Sequence, residues 1–573
     1  MRRVAAGLAL LLAAGCGLPL PHGVQEPGAV PAEQAQGGRD IQVLPPGPRD
    51  DASPEEIVRD FFGAQSDPAN RHASAREFLA PELRPRWKDT AQVSVYGAAG
   101  LKVEPADGAR DAFQVTGSLV GRIAADGSYT PATGRLSVQV QVRKGARGRY
   151  VIVKAPDGLL LSTADRDRSF RPRSIYFLAP PPAQGSPPTH LVPDPVFVPV
   201  TADTADALVR RLVAGPSAQL ADSVRTAFPA GTTVRKVRTD ASGLVTVEVS
   251  AQVGQASAQQ TEQMSAQLIW TLRGSGGLFR QLRLRSDGRP IRVGTSGSDV
   301  QDRGDLDSYA PDGLPPRVPL YYIGGRRLRV LDPATDPAAA ASGQKVVDAA
   351  AVSPRGGGVA LVTRLRGGDE LRTGPTSGPF VLRSRAASVS SPSWGSGERG
   401  VWFLQNGGLM LAPLTGPVAA VPVDGINGYG RVSAVRVSRD GARVALIAGT
   451  GTGRRLVVGR IVDRGGYRVV GLRSVARGVA DVSDLAWESA TSLVVLGRLS
   501  GVAAPVRVAV DGSTVALVNR YGLEESTPVS VAAAPDRPLT VGARYGGAAV
   551  LFRLGGIFTK ERGIVGGQPF YPG

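Results

Sequence analysis

Cysteine is almost missing from this chain: among 573 residues Cys16 stands alone, and only 3 residues are His. Without a second thiol no disulfide can form within the chain, so each domain must be held by buried core. So few soft ligands also leave little room for zinc or copper chemistry. His22 and His72 fall in the first part of the chain and His190 in a Pro-rich stretch, with no cluster among them. A Ser-His-Asp arrangement would have to recruit one of those three, and no EF-hand pattern occurs. No later stretch approaches the roughly 18 consecutive apolar residues of a membrane helix. Like-charge blocks are missing as well. The formal net charge of +18 is spread along the sequence and carried mostly by Arg. No enzyme activity, no metal and no cofactor are expected.

What is present begins with a leader. Arg2 and Arg3 precede an apolar run, residues 4–14, too short to span a bilayer and of signal-peptide length. The small residues Ala13, Ala14 and Gly15 lead directly into Cys16. A plain signal peptide needs no such thiol. A lipoprotein signal does, because the sulfur receives the diacylglycerol. Residues 1–15 therefore read as a lipoprotein signal peptide, cleaved between Gly15 and Cys16, with a diacylglycerol thioether and an N-acyl chain on Cys16. Ala13 stands where bacterial lipoboxes more often carry Leu or Val. Two acyl chains give stable anchoring where one is marginal. Residues 16–52 are rich in Pro, Gly and Gln, have no period and read as a flexible tether with an r.m.s. span on the order of 30–35 Å. The expected location is the extracytoplasmic face of the cell membrane. The polyanions met there are anionic lipid and acidic wall polymer rather than nucleic acid.

Ser53-Pro54-Glu55-Glu56 is a capping box with Pro at the first helical position, and Ile57, Val58, Phe61 and Phe62 form the apolar face that follows. A second short helix carries Ala75, Phe78 and Leu79 up to Pro81. After Trp87 the period changes to two, with strands expected at 93–96, 113–120, 136–142 and 150–153. Residues 53–163 thus read as an α+β domain, and 164–195 as a Pro-rich linker. In 196–300, Ala205, Leu208, Val209, Leu212 and Val213 mark one helix face, and Thr261, Met264, Leu268 and Leu272 a second. Strands are expected at 234–238, 244–249, 282–284 and 291–293.

From 318 to 573 the sequence repeats. VVDAAAVSPRGGGVALVTR, SVSSPSWGSGERGVWFL, VSAVRVSRDGARVALIA, VSDLAWESATSLVVLGR and PVSVAAAPDRPLTVGAR share a strand, a corner, a turn and a second strand. Ser353, Trp394, Ser438, Trp487 and Ala534 are read as the corner. Spacings of about 40–50 residues match propeller blades, five or six of them. Tyr321, Tyr322 and Ile323 form an early blade fragment for the C-terminal strands to complete. An irregular β-sandwich does not explain a period that recurs five times. Gly449-Thr-Gly-Thr-Gly453 resembles a phosphate loop but lies between strands, so it reads as a turn, as do Asp440-Gly441 and Asp511-Gly512.

The run LVRRLVAGPSAQLADSVRTAFPAGTTVRKV, followed by VTVEVS, QLIWTL and LRSDGRPIRV, resembles the GerM domain of bacterial sporulation and envelope proteins. That implies a small α/β module without catalytic residues. The order of lipobox, tether, α+β domain, GerM-like domain and propeller resembles the LpqB family of actinobacterial lipoproteins. The resemblance implies a partner, the extracytoplasmic domain of the MtrB sensor histidine kinase. It further implies a modulating role in the MtrA–MtrB two-component system, and so in cell-wall, division and development control. The alternative is a cell-envelope scaffold whose propeller holds wall polymer or an assembly protein.

Overall fold

A computed structural model describes residues 47–573 except 107, 108, 110, 146, 147, 181–189, 201, 202, 278, 295, 296, 316, 332–345, 377 and 396–398. Helix α1 (Pro54–Ala64) opens on the capping box: Glu56 N donates to Ser53 Oγ at 3.2 Å, and Ser53 N donates to Glu56 Oε2 at 2.7 Å. The Ile57, Val58, Phe61 and Phe62 face is buried against Phe78 and Trp87. The second helix, α2 (Ala73–Arg76), is a single turn: left-handed backbone at Asn70, Arg71 and His72 bounds its start, and beyond its end the Phe78 carbonyl accepts from Ile152 N at 2.9 Å while Ala80 N donates to the Ile152 carbonyl at 2.8 Å. Under the helices lies a sheet ordered 150–154, 135–144, 112–124, 92–96 and 159–162, in which the last two strands are parallel.

The described part of the stretch expected as a linker is folded. Helix α3 (Thr163–Ser169) leads into an antiparallel ribbon of Phe170–Leu178 and Leu191–Pro199, paired from Phe170↔Pro199 to Leu178↔Leu191. Its prolines are tolerated because Pro193, Pro195 and Pro199 fall on alternate positions whose N–H would point away from the partner strand. Phe197, at the same parity, donates outward to the Gly127 carbonyl at 2.8 Å. The ribbon belongs to the core of the following domain. Ile175, Phe177, Leu191 and Val196 pack with Leu208 and Leu212 of helix α4 (Thr204–Val213) and with Leu268 and Ile269 of helix α5 (Ala258–Arg273). Buried Gln267 fastens it further, accepting from Ala227 N at 2.7 Å and donating to the Tyr176 carbonyl at 2.8 Å. The sheet of this domain pairs Leu244–Val249 antiparallel with Val234–Thr239 and parallel with Gln281–Ser286. The strand expected at 291–293 does not form. After the Asp287-Gly288 turn Arg289–Pro290 pairs with Ser286 and Arg285, Ile291 N adds one bond to the Leu284 carbonyl at 2.9 Å, and Val293 then turns to Ser298 instead, donating to its carbonyl at 3.0 Å.

Among the described residues, those from Tyr321 to Phe570 form a six-bladed propeller. Five blades are four-stranded sheets, and the sixth joins Tyr321–Gly324 and Arg327–Val330 to the last strand, Gly567–Phe570. Tyr321 and Phe570 stack there with ring centroids 5.5 Å apart. The inner strands are Ala349–Val352, Val389–Trp394, Val432–Val437, Val479–Ser489, Thr527–Ala532 and Gly567–Phe570. One corner register is corrected. Trp394 pairs with Val401 and Trp487 with Leu493, and the equivalent pairs are Val352↔Val359 and Val437↔Val444. Ser353 and Ser438 lie one residue further on. There their hydroxyls cap the turn, accepting from Gly358 N at 2.9 Å and Arg443 N at 3.0 Å. Both members of each adjacent pair are buried, so periodicity alone does not separate them.

Candidate functional site

The inner strands of the propeller are bulged. Registers shift between Ser390 and Ser393, Val432 and Ala434, Ala480 and Asp484, and Pro528 and Ser530, and again beside Gln568. A bulge leaves a residue outside the ladder and re-aims its side chain. Here groups in and beside the bulges join blade two to three, four to five and five to six. Ser391 Oγ accepts from Val435 N at 2.9 Å, Asp484 Oδ2 from Val531 N at 2.9 Å, and Ser530 Oγ from Gln568 N at 3.1 Å. The corner tryptophans reach the other way: Trp394 Nε1 donates to the Ala351 carbonyl and Trp487 Nε1 to the Arg436 carbonyl, both at 3.1 Å.

Inside this girdle is a cavity of about 380 Å³. Arg364, Ser433, Ser483 and Val529 line it and are exposed, whereas Arg439, Trp487, Ala532 and Ala533 line it and are buried. It is therefore a funnel with an open mouth and a closed floor. The floor is made by Arg439, which donates to the carbonyls of Trp487 at 3.0 Å, Ala533 at 3.1 Å and Pro572 at 3.1 Å, tying blades three, four and five to the C-terminus. Burial lowers its guanidinium to about 10, so it stays charged at neutral pH.

The floor end is also where the upstream domains dock. Arg443 donates to the Pro193 carbonyl at 2.7 Å, Arg399 to Pro180 at 2.9 Å, and His190 Nε2 lies 3.0 Å from the Asp440 carbonyl oxygen. Arg464 pairs with Asp222 at 2.7 Å, and the propeller turn residue Ala442 is part of the second domain's own core. Arg477 reaches the Val120 carbonyl of the first domain at 2.9 Å.

Two opposite charges look into the funnel from neighbouring blades. Arg436 of blade three leans toward blade two, donating from Nη1 to Ser391 Oγ at 2.7 Å and to the Val435 carbonyl at 2.8 Å. Asp484 of blade four leans toward blade five through its bond to Val531 N. Burial pushes the Asp484 carboxyl up, and the Arg436 charge pulls it back down. Among the described lining residues there is no histidine, cysteine or lysine, and no group of three or more potential metal ligands occurs among the described residues. What the lining offers is binding: hydroxyls, the cations Arg364, Arg436 and Arg439, the anions Asp348 and Asp484, and small apolar walls.

No funnel residue is expected from the sequence as a binding group, although the sequence carries a signal for them. A Val-Ser pair recurs in blades two to five at Val389-Ser390, Val432-Ser433, Val482-Ser483 and Val529-Ser530, with Val347-Asp348 in blade one. Gly15 and Cys16, the predicted cleavage and lipidation residues, lie outside the described residues. Gly449–Gly453 joins the strands Arg443–Ala448 and Arg455–Asp463, so no helix follows it to hold a phosphate.

Comparison with known families covers all three domains. Residues 47–167 match the N-terminal domain model of lipoprotein LpqB, and 327–550 match the lipoprotein LpqB beta-propeller model. Residues 174–292 match the Germane model, described as sporulation and spore germination. Lipoprotein LpqB of Thermobifida fusca strain YX is 28% identical over 630 residues, spanning 99% of this chain and 97% of its own. The chain belongs to the LpqB family. LpqB of Streptomyces coelicolor is 27% identical over 618 residues, with the same coverage of 99% and 97%. LpqB of Mycobacterium tuberculosis strain CDC 1551 is 27% identical over 564 residues, 92% of this chain and 93% of its own. These LpqB relatives are named as lipoproteins, not as enzymes. No helix among the described residues is long and apolar enough to cross a membrane.

Proposed function

We propose that this LpqB protein is a lipoprotein anchored through Cys16 on the extracytoplasmic face of the cell membrane, where it binds the MtrB sensor kinase and modulates the MtrA–MtrB system. Family membership supports the reading. The observation that carries it is the docking of both upstream domains on the propeller. Ala442 in the second domain's core and the arginine bonds to Pro193, Pro180 and Val120 join three domains into a single body. Such a body presents one composite surface to a partner. Confinement to the partner's membrane raises the effective concentration even when pairwise affinity is modest. Modulation requires unequal affinity for two kinase states, since equal affinity shifts nothing.

The test is titration of a soluble fragment, residues 47–573, with the isolated MtrB sensor domain at low and moderate salt. Saturable binding that survives moderate salt is the expected result. Binding that disappears with modest salt is the behaviour of diffuse charge attraction. That outcome, or no binding, overturns the kinase reading and favours an envelope scaffold that holds wall polymer.

A further inference from the structure

We propose that the propeller funnel is a binding site for a small zwitterion of the amino-acid class, a free amino acid or short peptide, with its carboxylate on Arg436 and its ammonium group on Asp484. The argument begins with the two charges. They lie on adjacent inner strands, yet each is fastened in the direction away from the other: Arg436 on Ser391 of blade two, Asp484 on Val531 N of blade five. No direct ion pair joins them, although the Asp484 carboxyl responds to the Arg436 charge. Each keeps bonding capacity. A guanidinium has five N–H donors, and only Nη1 of Arg436 is engaged by Ser391 and Val435. A carboxylate offers about four acceptor sites.

The cavity restricts what can bridge them. Its volume, about 380 Å³, lies in the range of small-molecule sites. The Arg439 floor seals the far end, so a polymer cannot thread through; a small molecule or a chain terminus can enter. Ala349, Ala351, Ala434, Ala486 and Ala532 leave room for small side chains, and Ser433 and Ser483 offer hydroxyls at the mouth. Of the other lining charges, Asp348 is taken by Arg326 at 2.8 Å and by Arg364 N at 2.7 Å, Arg439 is taken by three carbonyls, and Arg364 sits at the exposed rim, so deeper in the funnel a simple anion would meet the Asp484 charge and a simple cation the Arg436 charge. A molecule with both charges satisfies both walls, and in a site partly shielded from water each contact is stronger than in bulk. The inference stands independently of the kinase contact.

The experiment is calorimetric titration of the full chain in detergent with L-alanine, dialanine and trialanine at millimolar concentration. The titration is then repeated with the N-acetylated and C-amidated forms of whichever binds. Saturable binding is expected for at least one of the three, weakened about tenfold or more by blocking either terminus. Arg436→Gln and Asp484→Asn should each weaken it to a similar degree. Asp484→Asn keeps an acceptor for Val531 N, and melting curves confirm that both variants fold. Ser483→Trp, at an exposed position of the mouth, tests obstruction without replacing either charged residue and should abolish binding. No heat from any of the three ligands overturns the proposal. So does acetate binding as well as the zwitterion does with indifference to Asp484→Asn, because that describes an anion pocket.

Discussion

Trp487 fills the wedge between blades three and four, packed with Ala445, Ile447, Leu456 and Val458 on one side and Leu493 and Val506 on the other. Its indole N–H crosses the same gap to the Arg436 carbonyl. Trp487→Ala removes the filling and leaves that carbonyl without its donor, so the expected cost is about 3–5 kcal/mol. Thermal melting of the variant should fall by several degrees, and protease sensitivity in the propeller should rise. An unchanged melt would mean that Trp487 does not wedge the blades. Its role was legible because a large aromatic recurs at one place in a repeat. Arg436 and Asp484 were not legible: a polar residue inside a strand normally marks the solvent face, and counting by twos fails across a bulge. Asp481 and Ser391, both in left-handed backbone, sit where that count breaks.

Among the elements, the last strand has the largest structural task. Gly567–Phe570 is the inner strand of blade six, paired with a segment more than two hundred residues earlier in the chain. It carries the Phe570 ring onto Tyr321, takes the Ser530 hydroxyl at Gln568 N, and leads to Gly573, whose N–H donates to the Val352 carbonyl at 3.0 Å. Deleting residues 563–573 removes these links together with the Pro572 carbonyl that Arg439 uses. The ring then opens between blades five and one. Calorimetry of the deletion should show a broadened, lower propeller transition, with early cleavage near 318–330 in limited proteolysis. A sharp, unshifted transition would show that the ring closes without its latch. This closure could be read in advance, since the strand around Tyr321 has too few neighbours in sequence to make a blade. The ribbon at 170–199 could not. Its prolines look like a linker until the parity of the pairing shows that their missing donors face outward.

At the scale of the whole molecule, arginines from the positive charge spread along the sequence hold domains together. Arg399 and Arg477 bond carbonyls 219 and 357 positions away, distances over which no periodicity reports. The close fit of the seam shows at Gly512, where a Cβ would lie 2.4 Å from Pro131 Cγ of the first domain. Asp312 lies in the part of the seam bounded by Tyr176 and Trp270 on one side and Ser489–Thr491 and Pro535–Arg537 on the other. Burial raises its carboxyl from 3.8 to about 6, against the lowering pull of Arg439 and with Asp440 and Asp536 adding to the rise. The folded state therefore holds this proton more tightly than the unfolded chain. Its contribution to stability is fully present below about pH 4 and is lost as pH rises through about 6. His190, in the same seam, acts in the opposite direction: burial lowers its pKa, so acidification disfavours the fold at that residue. The two separate by difference. Asp312→Asn removes the carboxylate and leaves His190 in place, so His190 cancels when variant and parent are compared at each pH. At pH 7 the variant should be more stable by about 1–2 kcal/mol, and that advantage should shrink toward zero by about pH 4. Denaturant titrations of both proteins at pH 7, 5.5 and 4 give the comparison. An advantage independent of pH would assign the gain to packing alone and show that the seam does not bury an ionised Asp312.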